Sequence, residues 1–238
     1  MSARRSAAAM TLAVLACAGA VEARTITGSS GRDFLKGTNR ADKLAGRGGN
    51  DRLVGKGGND VLLGGRGRDR LLGGDGADRL YGGAGGDALF GQAGPDRGSG
   101  GAGRDILFGG AGDDTLKGGR SNDRVYGSAG NDILMGGDGN DRLVGGAGED
   151  DVYGEKGNDR MSGGKGQNFL DGGNGNDDIR ITSPEGDEVM GGSGDDTIRA
   201  RNGTEDTIDC GPGVDTAIVD TEEDGVLNCE NVEFPKGS

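Results

Sequence analysis

An aspartate returns every ninth residue along most of this chain, and the sequence contains no histidine. The slot opens at Asp33 and continues through Asp42, Asp51, Asp60, Asp69, Asp78, Asp87, Asp96, Asp105, Asp114, Asp123, Asp132, Asp141, Asp150 and Asp159, then Asn168, then Asp177. Single-residue insertions move it afterwards to Asp187, Asp196, Asp206 and Asp215, which makes 21 repeats. Glycines surround each acid, as in "GGAGRDILF" (100–108), "GGAGDDTLK" (109–117) and "GGDGNDRLV" (136–144). Glycine enters positive φ cheaply, so such a stretch can bend its carbonyls toward a common centre. Carboxylates and carbonyls in a fixed rhythm, without imidazole, suit a hard cation that takes six or more oxygen ligands. The same composition excludes a Ser-His-Asp triad and a histidine zinc site. No Gly-Lys-Ser/Thr follows the glycines, so they do not form a phosphate loop. Adjacent acids such as Asp113–Asp114 and Asp195–Asp196 have the residue types of a glycan-cleaving pair, though turn ligation is the simpler reading.

The elements that must position these acids follow from the period. Nine residues are too few for a helical repeat unit. Two positions after each acid stands an apolar residue, from Leu35, Leu44 and Leu53 through Leu170 and Ile179, with Gly98 as the one break. Six Gly-rich residues make a turn, and three make a short strand whose middle side chain points inward. Two repeats close a coil of 18 residues, and successive coils stack as parallel sheets. The expected fold is all-β, a parallel β-roll with two repeats per coil. Its interior is thin: 31% of the chain is hydrophobic, 3% aromatic, and the net charge is −13. Burial on that scale does not offset the conformational entropy of folding, so the metal-free chain is expected to be largely disordered.

At residues 28 to about 218 the sequence resembles the RTX (hemolysin-type) calcium-binding nonapeptide repeats, whose pattern G-G-x-G-x-D-x-apolar-x the three quoted repeats match at every fixed position. The resemblance implies several bound calcium ions, held between consecutive turns by the sixth-position carboxylates and turn carbonyls. It carries that role onto fifteen aspartates, every slot from Asp51 to Asp159 together with Asp177 and Asp196. Some repeats depart from the pattern. "GQAGPDRGS" (91–99) carries a proline and lacks the inward apolar residue, so a bulge is expected there. "GGKGQNFLD" (163–171) offers Asn168, a neutral and weaker ligand. "TSPEGDEVM" and "RNGTEDTID" lose their turn glycines.

The two ends read differently from the array. Residues 1–23 have Arg4 and Arg5, an apolar stretch from Ala7 to Ala20 and small residues after it, the pattern of a secretory signal peptide. Fourteen apolar residues are short for a membrane span. A loose lipobox, "VLAC", makes lipid anchoring through Cys17 the alternative. Residues 24–45 are expected to start and cap the roll, 46–218 to form it, and 219–238 to cap its far end. Cys210 and Cys229 are the cysteines left after the leader, and in an exported chain they favour a disulfide.

Alternate repeats share a sheet, so one outer face aligns Val54, Leu72, Phe90, Phe108, Tyr126 and Val144, flanked by arginines at both ends. An exposed apolar stripe of that extent marks contact, either self-association or a cell-surface or matrix partner. The acidic balance argues against nucleic acid. The sequence thus leads to a secreted, non-enzymatic calcium-binding roll without a transmembrane domain in the mature chain. The alternatives are an adhesin or matrix protein working through the apolar face, and a carbohydrate-active solenoid enzyme.

Overall fold

Each repeat builds one strand. The computed structural model describes residues 23–220 and 225–234; the expected leader, with Arg4, Arg5 and Cys17, lies outside them apart from its last residue. Twenty-four strands run from β1 (Thr25–Thr27) to β24 (Asn231–Glu233). The odd-numbered strands form one 12-stranded sheet and the even-numbered strands another. Every pairing is parallel and joins residues one coil apart: in β6 (Arg70–Asp75), β8 (Ala88–Ala93) and β10 (Ile106–Ala111), Leu71 sits beside Leu89 and Leu89 beside Leu107. At one strand spacing per coil the stack is roughly 50 Å long. Among the described residues there is no helix long and apolar enough to cross a membrane.

The register is fixed by what faces inward. Leu44, Leu53, Leu62, Leu71 and their successors are fully buried between the sheets, while the residues on either side of each point out. A one-residue slip would turn the leucines to water. The expected bulge at 91–99 is not formed. Strand β9 (Arg97–Ala102) keeps its register with β7 (Arg79–Ala84) and β11 (Thr115–Arg120), with Gly98 between Leu80 and Leu116. Neighbouring leucines fill the space that the missing side chain leaves: a Cβ added at Gly98 would lie 2.9 Å from Leu116 Cδ2 and 3.6 Å from Leu107 Cδ2.

After β16 (Arg160–Lys165) the strands shorten to three or four residues, where insertions and lost glycines alter the turns. A disulfide joins Cys210, just after β21 (Thr207–Asp209), to Cys229, between β23 (Gly225–Leu227) and β24, with Cα atoms 5.2 Å apart. Closing a loop of that size removes unfolded-state freedom worth roughly 3 kcal/mol. It fastens the last coil to the one before.

On the even sheet the side chains from Val54 to Val144 do stack in one line, through β4 (Arg52–Gly57), β6, β8, β10, β12 (Arg124–Ala129) and β14 (Arg142–Ala147). They are half-buried rather than open, because each is flanked by its equivalents one coil away. Phe90 and Phe108 stack with centroids 5.4 Å apart, and Phe108 and Tyr126 at 4.7 Å.

Candidate metal centre

The turn delivers its aspartate to the boundary between coils. Along most of the roll the N–H of one aspartate donates to Oδ1 of the aspartate one coil on, as from Asp60 to Asp78, Asp105 to Asp123 and Asp141 to Asp159, each at 2.7 Å. The carboxylates therefore line up in two columns, one on each edge of the roll. One column runs Asp51, Asp69, Asp87, Asp105 and onward; the other runs Asp60, Asp78, Asp96, Asp114 and onward. All are at most 4% exposed.

The second carboxylate oxygen is the anomaly. From Asp51 to Asp159 without exception, and again at Asp177, Asp196 and Asp215, Oδ2 is buried and accepts no hydrogen bond. All fifteen residues of the sequence expectation are in this state. So is Asp215, which that expectation did not include. A buried, unsatisfied carboxylate oxygen is costly, and it recurs here by design of the repeat.

From Asp51 to Asp159, and at Asp177 and Asp196, the orphaned oxygen faces a notch kept open by the first glycine of its repeat; at Asp215 that position is Cys210. A Cβ added at Gly136 would lie 2.5 Å from Asp141 Oδ2 and 2.7 Å from the carbonyl oxygen of Gly154, one coil further on. The notch thus presents a carboxylate and a carbonyl to the same small space. The fourth position aims another carbonyl along the roll axis: Gly76 has φ of 131°, and a Cβ there would meet Gly58 O at 2.5 Å. Oxygen facing oxygen, with no donor between, is a surrounding that a hard cation satisfies. Among the described residues no three His, Cys, Asp or Glu side chains converge, so a cation here must draw much of its shell from the backbone.

Burial pushes these carboxyls up, against the pull of the N–H bonded to each. They reach about 6 at Asp60, Asp87, Asp150, Asp187 and Asp196, about 7 at Asp96, Asp105, Asp114, Asp132, Asp159 and Asp177, and about 8 at Asp123. Neighbouring carboxylates in the column add to the effect. An empty notch favours the protonated acid; a cation would favour the carboxylate.

At Asp33, Asp42 and Asn168 the protein's own groups occupy the rung. Asp33 Oδ2 accepts the N–H and hydroxyl of Ser29 at 2.6 and 3.0 Å. Asp42 Oδ2 accepts those of Thr38 at 2.6 and 2.8 Å. At Asp42 burial is outweighed by these bonds and by the N–H of Arg24, and its pKa is lowered. The last of these is Asn168. Its Oδ1 accepts the N–H of Asp150 at 3.1 Å, which leaves Nδ2 to donate to Gly166 O at 2.8 Å and Asp187 Oδ1 at 3.0 Å. Ser183 Oγ stands 2.8 Å from the same Gly166 oxygen. The amide places N–H groups where the other rungs have only oxygens.

The fifth position has a role that sequence reasoning missed. Asn50, Asn59, Asn122, Asn131, Asn140, Asn158 and Asn176 each accept, through Oδ1, the N–H of the fifth residue one coil on, at 2.9 to 3.1 Å. The recurrence of asparagine before the aspartate was the available signal. Asp113 and Asp195 do the same for Asn131 and Val214 at 2.8 and 3.0 Å. In the two acid pairs, then, one member holds the next turn and the other lies buried in a column.

A family model described as RTX calcium-binding nonapeptide repeat (4 copies) matches residues 27–62, 54–89, 63–98, 90–125, 99–134, 126–161, 153–180 and 182–217. Comparison with curated proteins returned no match.

Proposed function

The chain belongs to the RTX calcium-binding nonapeptide repeats, whose arrays bind several calcium ions, and from that premise we propose that it is an exported, non-catalytic structural protein whose roll forms as its aspartate columns take up calcium. The observation that carries this reading is the orphaned Oδ2 at Asp51 to Asp159, Asp177, Asp196 and Asp215. These residues, with turn carbonyls, would hold the ions. Without a cation the columns bring carboxylates together in a buried setting; with one, binding free energy becomes folding free energy. Extracellular modules bind calcium at roughly 10⁻⁴ to 10⁻³ M, so a chain led out by residues 1–23 would fold on arrival. The hydroxyl-closed rungs of Ser29 and Thr38 support reading 24–45 as the N-terminal cap, and the Cys210–Cys229 bridge supports a C-terminal cap at 219–238.

The test is circular dichroism of the chain from residue 24 during a calcium titration, with magnesium as control. A cooperative gain of β signal in calcium alone is expected. An unchanged spectrum, or an equal response to magnesium, would sink the proposal. A second reading, contact with another copy or a surface partner through the ladder, is favoured by the continuous ring stack of Phe90, Phe108 and Tyr126. Sedimentation of the Phe90→Ser, Phe108→Ser variant decides it: an unchanged mass would remove self-association through that face.

A further inference from the structure

Eight arginines follow one edge of the even sheet. Arg32, Arg52, Arg68, Arg70, Arg104 and Arg124 line a cavity of about 890 Å³. A second, of about 340 Å³, shares Arg104 and Arg124 and continues to Arg142 and Arg160. Fifth-position residues of one coil and seventh-position residues of its neighbours come together here. The groove spans eight even-sheet rungs, roughly 34 Å at one strand spacing each. All eight arginines are exposed.

Among the described residues none of these arginines is in a side-chain ion pair, on a chain of net charge −13; the nearest opposite charges are buried column carboxyls, Asp87 for Arg68 and Asp123 for Arg104. The ion pairs among the described residues are Lys117–Glu155, Lys156–Asp138 and Arg199–Asp178, none of them in the groove. Arg52 and Arg70 are instead positioned over the rings of Phe34 and Phe90, at 5.5 and 4.6 Å. Strand pairing sets Arg52 beside Arg70, and Arg124 beside Arg142 beside Arg160. Like charges directly opposed across strands are destabilising. The opposite edge shows that the buried aspartates do not require them. It carries the same carboxylate column, yet its fifth positions read Asn59, Ala77, Pro95, Asp113, Asn131 and Glu149, and its seventh positions Val61, Arg79, Arg97, Thr115, Ile133 and Asp151, so only two arginines stand there.

We propose that this groove binds a linear acidic polysaccharide, one whose carboxylate or sulfate groups project from an uncharged sugar chain. Guanidinium forks recognise both anions in bidentate fashion. An extended pyranose chain advances by close to one rung of the sheet per sugar, so anions on single or alternate sugars can meet arginines on different rungs. In the middle of the groove Gly86, Ala88 and Ile106 give apolar surface suited to the CH faces of sugars, set among the buried column acids Asp69, Asp87 and Asp105. A wide polyanion such as duplex DNA would meet the acidic remainder of the surface and be repelled. The inference rests on the calcium-folded roll, because the groove exists only when the coils stack. Calcium in the column beneath would also cancel the carboxylates nearest the arginines and strengthen the groove's positive field.

Titration calorimetry in 2 mM calcium and 50 mM salt tests it. Heparin supplies sulfate, hyaluronate carboxylate, dextran a neutral chain, and oligo-dT a different polyanion. Heparin, hyaluronate or both should bind, and the responding pair member identifies the anion. Dextran should not bind, and 200 mM salt should weaken binding roughly tenfold or more. Arg68→Ser with Arg104→Ser, both exposed, should weaken it at least tenfold. Circular dichroism on the same samples separates the two readings. A missing β signal fails the calcium-folding proposal. An intact β signal with neither polysaccharide bound, with the double variant binding equally, or with oligo-dT bound as tightly, overturns the groove.

Discussion

Replacing Asn168 by aspartate should lower the roll's stability at low calcium and raise it at high calcium. The substitution removes the amide hydrogens that now reach Gly166 O at 2.8 Å and Asp187 Oδ1 at 3.0 Å. A carboxylate oxygen takes their place, facing those two oxygens at a site 2% exposed. Leaving buried polar groups unsatisfied costs about 1–3 kcal/mol, more when one is charged, so about 3 kcal/mol is the expected loss. The variant also restores the pattern of the open rungs and gains one ion on folding. Each tenfold of calcium above that site's Kd returns about 1.4 kcal/mol. The loss is therefore offset about two decades above Kd, or about 10 mM calcium for an extracellular-type Kd of about 10⁻⁴ M. Urea unfolding of both proteins at calcium from 0.1 to 50 mM, followed by circular dichroism, locates the crossing. Parallel curves that never converge would refute the reasoning, since they would mean that the aspartate costs stability and binds nothing.

Other rungs give further tests. Lowering the pH should partly replace calcium. The folded carboxyls titrate near 6 to 8 and the unfolded ones near 3.8, so the metal-free roll is favoured below the lower value and loses stability as pH rises through the higher ones. The calcium-free chain should accordingly show more β signal at pH 4.5 than at pH 7.5, and equal spectra would contradict this. Gly136→Ala places a methyl among Asp141 Oδ2 and Gly154 O; it should cost about 1–3 kcal/mol by overpacking and remove one ion from the count by native mass spectrometry. Gln92 holds φ at 92°, a conformation that costs a side-chain-bearing residue about 1–2 kcal/mol. Gln92→Gly should thus raise the urea midpoint, and a lower midpoint would show that the strain is absent. Leu107→Ala, at a fully buried position, should cost about 3 kcal/mol without changing the number of ions bound.

Much of this architecture is legible in the sequence because its period leaves few options. Asp51 to Asp177 without a slip fixes the 18-residue register, and the apolar residue two places on fixes which face is inside. The rest depends on distances that a period does not contain. No period tells that the Asn168 amide bonds Gly166 and Asp187. Nor does it tell that the hydroxyls of Ser29 and Thr38 close Asp33 and Asp42. Gly98 reads as a break because the pattern says nothing of how far Leu116 can lean. The line from Val54 to Val144 was visible as a line, but its half-burial follows from ring stacking between coils. The arginine groove joins residues from different repeat positions on different coils, and only stacking brings them together.

The central claim, that orphaned carboxylate oxygens mark the calcium sites and satisfied ones mark their absence, is tested most directly by a crystal structure grown in calcium with an anomalous difference map. Peaks are expected beside Asp51 to Asp159 along both columns, and none at Ser29–Asp33, Thr38–Asp42 or Asn168. A peak at Asn168, or columns without peaks in a folded roll, would contradict the account.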